Sequence, residues 1–154
     1  MDRLDQKILA CLQDDAGLSV AEVADRVGLS STPCWRRIRN LEDAGVIQRR
    51  VAILDRAELG LATTVFVAVK TSEHNEDWLG RFAETVAGFP EVVEFYRMSG
   101  DIDYLLKVVV ADIPAYDAFY KRLIAAVDLS DVSSSFAMEE IKFTTALPLG
   151  APLP

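Results

Sequence analysis

Apolar and polar positions along the first fifty residues alternate with a helical period. In Leu4-Asp5-Gln6-Lys7-Ile8-Leu9-Ala10-Cys11-Leu12 apolar residues recur at four- and five-residue steps, and the pattern stops before Asp14-Asp15-Ala16-Gly17, which predicts a first helix. Ser19-Val20-Ala21-Glu22 has the spacing of a capping box, in which the serine and glutamate satisfy each other's exposed amides at a helix start. The apolar stripe Val20, Val23, Ala24, Val27 then runs to Gly28, which predicts a short second helix. Gly28 suits the left-handed conformation that ends a helix tightly, and Ser30 or Ser31 can cap a third helix with Pro33 in its first turn. That helix, Thr32 to Ala44, buries Cys34, Ile38 and Leu41 on one stripe and ends at Gly45. A helix, a tight turn and a second helix are therefore expected.

Beyond Gly45 the pattern changes. Residues 46–54 have strand-like β-branched content and lead through Asp55-Arg56-Ala57-Glu58-Leu59-Gly60 to a second region, with the boundary between residues 45 and 62. Strands are expected over 63–71, 91–99, 104–110 and 132–145. Helices are expected over 76–86, with Trp78, Leu79, Phe82, Ala83 and Val86 inward, and over 114–127, with Tyr116, Phe119, Tyr120, Leu123 and Val127 inward. Gly100-Asp101-Ile102-Asp103 has the turn chemistry of a hairpin. The order β-α-β-β-α-β is that of a ferredoxin-like domain, an antiparallel sheet with both helices on one face. The fold class is thus α+β: a helix-turn-helix domain (1–50), a strand or linker (51–62), a ferredoxin-like domain (63–145) and a proline-rich tail (146–154). Large side chains on the second face of the sheet predict a homodimer formed sheet to sheet. The tail is expected to fray, although its leucines could dock on a neighbour.

Charge changes this picture only once it is divided. The formal net charge is -8, which argues against a nucleic-acid partner. Residues 1–50, however, hold eight Lys/Arg against eight Asp/Glu, so the whole deficit lies in residues 51–154, with eight against sixteen. Arg36, Arg37, Arg39, Arg49 and Arg50 fall within fifteen residues, opposed there only by Glu42 and Asp43. A DNA-reading helix needs small residues at its N-terminus, so that backbone can approach phosphate, and then long side chains that reach base edges. Ser30, Ser31, Thr32 and Pro33 followed by Trp35, Arg36 and Arg39 supply both, and Arg49 and Arg50 could add phosphate contacts. A plain three-helix bundle with solvated arginines is the competing reading.

No apolar run is long enough to span a bilayer and the acidic start is unlike a secretory signal, so a cytoplasmic protein with no membrane partner is expected. The single histidine, His74, lies in a polar run and reads as a surface loop residue. With no second histidine or cysteine at metal-ligand spacing, no partner base for Cys11 or Cys34 and no glycine-rich phosphate loop, neither an enzyme nor a metal or other cofactor is expected. Both cysteines read as small buried hydrophobes. Cys34 has a second reading as a redox sensor, since a helix N-terminus can lower a thiol pKa.

Taken together, Leu4-Asp5, Ile8-Leu9, Leu12-Gln13, Val27-Gly28-Leu29-Ser30, Thr32-Pro33-Cys34, Arg37-Ile38, Leu41-Glu42, Gly45-Val46-Ile47, the run 99–106 and Met138-Glu139-Glu140 resemble the Lrp/AsnC family of feast/famine regulators in order and spacing along nearly the whole chain. The resemblance implies a winged-helix-like module that binds double-stranded DNA, and an α/β domain that senses an amino acid in dimers that often assemble further into tetramers or octamers. It implies that Ser30 to Arg39 is the recognition element and that Gly100, Asp101 and Asp103 lie beside an effector site between subunits. Met98, Tyr104, Phe136 and Met138 complete the candidate effector contacts. A carboxylate such as Asp101 or Asp103 could receive the ammonium of an amino acid, and amides of a glycine turn its carboxylate. The competing readings are that this turn only closes a hairpin and that Phe136 and Met138 are core. Trp35 and the segment 133–145 resemble a subgroup associated with cysteine sensing. A DNA-independent amino-acid-binding or assembly module remains the alternative function.

Overall fold

The computed structural model describes residues 1–72 and 76–149, with only the backbone of residues 76 and 77. His74 and the last five residues lie outside the described residues. The chain divides into two compact units, one made of residues 1–53 with 142–154 and the other of residues 54–141.

The first unit contains α1 (Arg3–Asp14), α2 (Val20–Val27) and α3 (Ser31–Asp43). Each boundary has a local cause. Asp2 caps α1 by accepting the Leu4 and Asp5 amides while the Asp5 carboxylate accepts the Asp2 amide, a reciprocal arrangement that the sequence reading did not include. Ser19 and Glu22 form the expected capping box on α2. Gly28 closes α2 at φ +74°, a left-handed conformation that costs a residue with a Cβ about 1 kcal/mol or more. The three helices bury Ile8, Leu9, Val23, Ala24, Val27, Cys34, Ile38 and Leu41 in one core.

The expected strand over 46–54 is absent. Its apolar residues Val46, Val51, Ile53 and Leu54 are at least half exposed, and these residues join no ladder among the described residues. No wing strand follows the helix-turn-helix among the described residues.

The second unit contains β1 (Thr63–Lys70), α4 (Glu76–Ala87), β2 (Val92–Arg97), β3 (Tyr104–Val110), α5 (Ile113–Ala126) and β4 (Asp131–Phe136). The strands form one antiparallel sheet in the order β2-β3-β1-β4, the ferredoxin-like arrangement. Period-two alternation sends Val65, Val67 and Val69 of β1 and Leu106, Val108 and Val110 of β3 to one face. There they meet Trp78, Phe82 and Val86 of α4 and Tyr116, Phe119 and Leu123 of α5 in a single core. The other face is not uniformly apolar. It offers Phe66, 39 % exposed, and Leu105, with an ion pair between Lys107 and Glu94 at 2.9 Å on which Tyr96 also donates to Glu94.

The final strand is shorter than its composition suggests. Phe136 pairs with Val65, the Ala137 amide still donates to the Thr64 carbonyl, and only Thr63 of β1 lies beyond that. Residues 137–145 therefore leave the sheet, although their β-branched and aromatic content reads as strand. Residues 142–149 belong to the first unit, where Leu149 packs against the three-helix core.

Candidate DNA interface and effector site

The exposed side of α3 carries Ser31, Thr32, Trp35, Arg36, Arg39 and Asn40, because the buried stripe Cys34, Ile38, Leu41 turns the other positions to solvent. Ser30 is the N-cap residue in extended conformation, yet its side chain makes no cap hydrogen bond. The hydroxyls of Ser30, Ser31 and Thr32 and the open amides of the first turn thus face solvent together, the arrangement by which a helix N-terminus receives a phosphate. Pro33 is half-buried in that turn. Trp35 is 54 % exposed, a large cost for a tryptophan that has only water to meet.

The five arginines of the basic window do not behave alike. Arg37 turns away from this surface: its Nη1 lies 2.8 Å from Asp2 and 2.7 Å from Asp5, so the first helix neutralises it from more than thirty residues away. Arg39 and Arg50 share Glu42, at 3.5 and 3.2 Å. Arg36 and Arg49 are exposed and have no ion-pair partner among the described residues. Exposed pairs such as those of Glu42 contribute at most about 1 kcal/mol, so a phosphate can displace them.

The Asp2 carboxyl is held below its usual value of 3.8, chiefly by the Asp5 amide and then by the Arg37 guanidinium. Because the folded value is the lower one, its stabilising effect is present above pH 3.8 and is lost as pH falls through the folded value. Asp2→Asn should therefore lower the melting temperature at neutral pH, and the gap to the wild type should narrow as pH falls from about 5 to about 2. A gap that stays constant over that range would show that Asp2 acts without its charge.

Cys34 is fully buried, and burial, followed by the neighbouring Cys11, pushes its thiol above the usual range. This favours the reading of Cys34 as a small buried hydrophobe, since desolvation disfavours the thiolate that a redox sensor needs.

In the α/β unit the hairpin turn is built around Asp103. Its carbonyl accepts the Met98 amide at 2.8 Å, its amide donates to Val69 at 3.0 Å, and its carboxylate accepts the Thr71 amide at 2.9 Å. Asp103 thus ties the β2–β3 turn to the end of β1, and one of its carboxylate oxygens already has a partner. Gly100, at φ +122°, and Asp101 are exposed at the tip, with Met98 beside them. Tyr104 does not join them. It is 5 % exposed, with its ring 5.0 Å from Phe82, 5.7 Å from Phe95 and 5.9 Å from Trp78, so its side chain packs in the core of this unit. Its strand parity with Leu106 and Val108 sends it to the helix side.

Phe136 and Met138 stand elsewhere. Phe136 packs edge-on to Tyr116 at 5.1 Å and pairs with Val65, whereas Tyr104 pairs with Val69. Four residues of strand, about 13 Å, therefore separate them from the turn within one chain. Met138 is 96 % exposed beyond the end of β4. A cavity of about 560 Å³ opens nearer to the turn, lined by Trp78, Arg81 and Thr85 of α4, Ser72, and Asp128 and Ser130 before β4. No sequence motif announces it, because its walls come from three separate segments.

A helix-turn-helix with an open, cationic second helix, together with an α/β unit that bears an exposed glycine turn, defines a DNA-binding regulator with an effector domain. Residues 1–48 match the winged helix-turn-helix DNA-binding family and residues 64–147 the Lrp/AsnC ligand binding domain. The chain belongs to the Lrp/AsnC family of transcriptional regulators. It is similar to the DNA-binding transcriptional activator DecR of Escherichia coli (strain K12), at 51% identity over 97% of this chain and 99% of the relative. It is also similar to the glutamate uptake regulatory protein of Zymomonas mobilis, at 53% identity over 97% of this chain and 91% of the relative. Among solved structures, an AsnC family transcriptional regulator from Agrobacterium tumefaciens superposes with a TM-score of 0.95 at 64% identity, over 97% of both chains. A transcriptional regulator from Neisseria meningitidis, solved as an L-Met complex, gives 0.93 at 36% identity over 97% of both chains. Among the described residues no helix is long and apolar enough to cross a membrane, and no cluster of side chains could hold a metal.

Proposed function

We propose that this regulator works in the cytoplasm as a homodimer, able to assemble into tetramers or octamers, and that it controls genes of amino-acid metabolism without any catalysis of its own. Ser30, Ser31, Thr32 and the first-turn amides of α3 take a phosphate, Trp35, Arg36 and Arg39 read the major groove, and Arg49 and Arg50 hold the flanking backbone. The observation that carries this reading is the side-chain division on α3, where Arg37 is neutralised internally while Arg36 and Arg39 stay on the exposed face with unused hydroxyls at the helix start. Dimerisation is supported by the open sheet face, where Phe66 and Leu105 flank a Lys107–Glu94 pair.

The effector is an amino acid held between C-terminal domains, at the tip formed by Met98, Gly100 and Asp101 with Asp103 behind them. The L-Met complex of the Neisseria regulator and the glutamate-related name of the Zymomonas relative support that class. Cysteine is the specific candidate, on the strength of Trp35 and the segment 133–145. Phe136 and Met138 reach such a site only from another subunit, since one chain keeps them apart.

Fluorescence anisotropy of the purified protein on its own promoter region, with a scrambled duplex as control and each of the twenty amino acids added in turn, tests the proposal. Specific binding is expected, with one or a few amino acids shifting it. About six phosphate contacts per dimer should give a slope of log affinity on log salt near -5. No specific binding under any condition would leave a DNA-independent amino-acid-binding module instead.

A further inference from the structure

The described part of the C-terminal tail makes contacts with the three-helix unit. The carboxamide of Gln13, on the last turn of α1, makes a reciprocal pair with the backbone of Leu147: Oε1 accepts the Leu147 amide at 2.7 Å and Nε2 donates to the Leu147 carbonyl at 3.2 Å. This imitates the two-bond exchange of an antiparallel strand pair, with a side chain standing in for one strand. Two residues on, Leu149 packs against the three-helix core, while the Leu147 side chain is 71 % exposed. At the other end of the same segment, Glu140 is bound by Arg56 at 2.6 Å, and Arg56 also donates to Thr64 of β1 at 2.6 Å.

The chain consequently passes between its two units twice, once after Ile53 and once after Ile141. We propose that residues 141–149 are a strap, a second tether that anchors the DNA-binding unit through Gln13 and Leu149 and restricts its reorientation. One flexible linker lets a small domain swivel freely, whereas two attachments at different points remove most rotations. The strap is also short. Between Glu140 and Leu147 lie six residues, which together span at most roughly 25 Å when fully extended. The first crossing is comparably short, since Ile47 packs in the helical core and Arg56 is fixed on β1.

This inference concerns motion within one chain and does not depend on DNA or effector. Nitrogen-15 relaxation and amide exchange on the full chain test it, comparing the wild type with Gln13→Ala and Leu149→Asp and with a chain ending at Thr145. In the wild type the Leu147 amide should exchange at least about tenfold more slowly than in an unstructured peptide. In the two point variants that protection should vanish, and in all three variants the rotational correlation time of the α1–α3 amides should fall by roughly a third or more as the unit gains freedom to swivel. Unchanged far-ultraviolet circular dichroism in Gln13→Ala separates release from unfolding. An unprotected Leu147 amide in the wild type, or identical correlation times with the helices intact in all three variants, would overturn the strap.

Discussion

Replacing Arg36 and Arg39 together by alanine should abolish specific DNA binding while the α/β unit keeps its fold. Both side chains lie on the exposed face of α3, and neither supports the core beneath it. A base contact by arginine is worth about 1–3 kcal/mol, and a dimer presents two copies of each, so a loss of 10³-fold or more in affinity is expected at moderate salt. Titration of a promoter duplex with the variant measures this, and thermal unfolding of the same sample shows that the fold survives. Unchanged affinity would remove α3 as the reading element. Arg37→Ala should differ in kind, lowering stability through the loss of its ties to Asp2 and Asp5 while the groove-facing side chains remain in place.

The largest effect on folding is expected at Phe82. Its ring is fully buried where α4 meets the sheet, stacked on Trp78 at 4.9 Å and edge-on to Phe95 and Tyr104 at 5.4 and 5.0 Å. Phe82→Ala removes these contacts and leaves a cavity, at a cost of about 3–5 kcal/mol. That is a large share of the roughly 5–15 kcal/mol that holds a domain folded. Denaturant unfolding should show a midpoint shift of this size, and the α/β unit should lose amide protection first. Amides of Ile8, Val23 and Ile38 should keep theirs, since those residues belong to a separate core. A change below 1 kcal/mol would mean that the aromatic cluster packs too loosely to act as one core.

The helical elements were legible because their signals are local. Ser19, Glu22 and Gly28 act within one turn of the chain, and each does what its residue type and spacing suggest. The sheet order was legible because strand and helix periods alternate in a pattern with few allowed topologies. What failed depended on distant partners. Residues 46–54 and 138–145 have the composition of strands, but a strand exists only where another offers its amides, and neither segment pairs with one among the described residues. The local count of opposing acids around Arg37 missed Asp2 and Asp5, which only the packing of α1 on α3 brings to it. Tyr104 carries two signals at once. The parity shared by Tyr104, Leu106 and Val108 already marked it as core, whereas its place beside the glycine turn suggested a ligand. The cavity beside Trp78 and Arg81 had no sequence signature at all.

Glu42, held between Arg39 and Arg50, has a consequence for the salt dependence of binding. On the footprint proposed above, this carboxylate competes with phosphate for the two guanidinium groups it already pairs with. Any duplex must displace it, and what leaves the two arginines is then a tethered anion of the protein rather than a free ion entering bulk solvent. The entropy gained per contact is smaller at Arg39 and Arg50 than at Arg36 and Arg49. On the proposed footprint this cost falls on operator and random DNA alike, so Glu42 lowers affinity for every duplex and flattens its salt dependence while leaving the ratio between them unchanged.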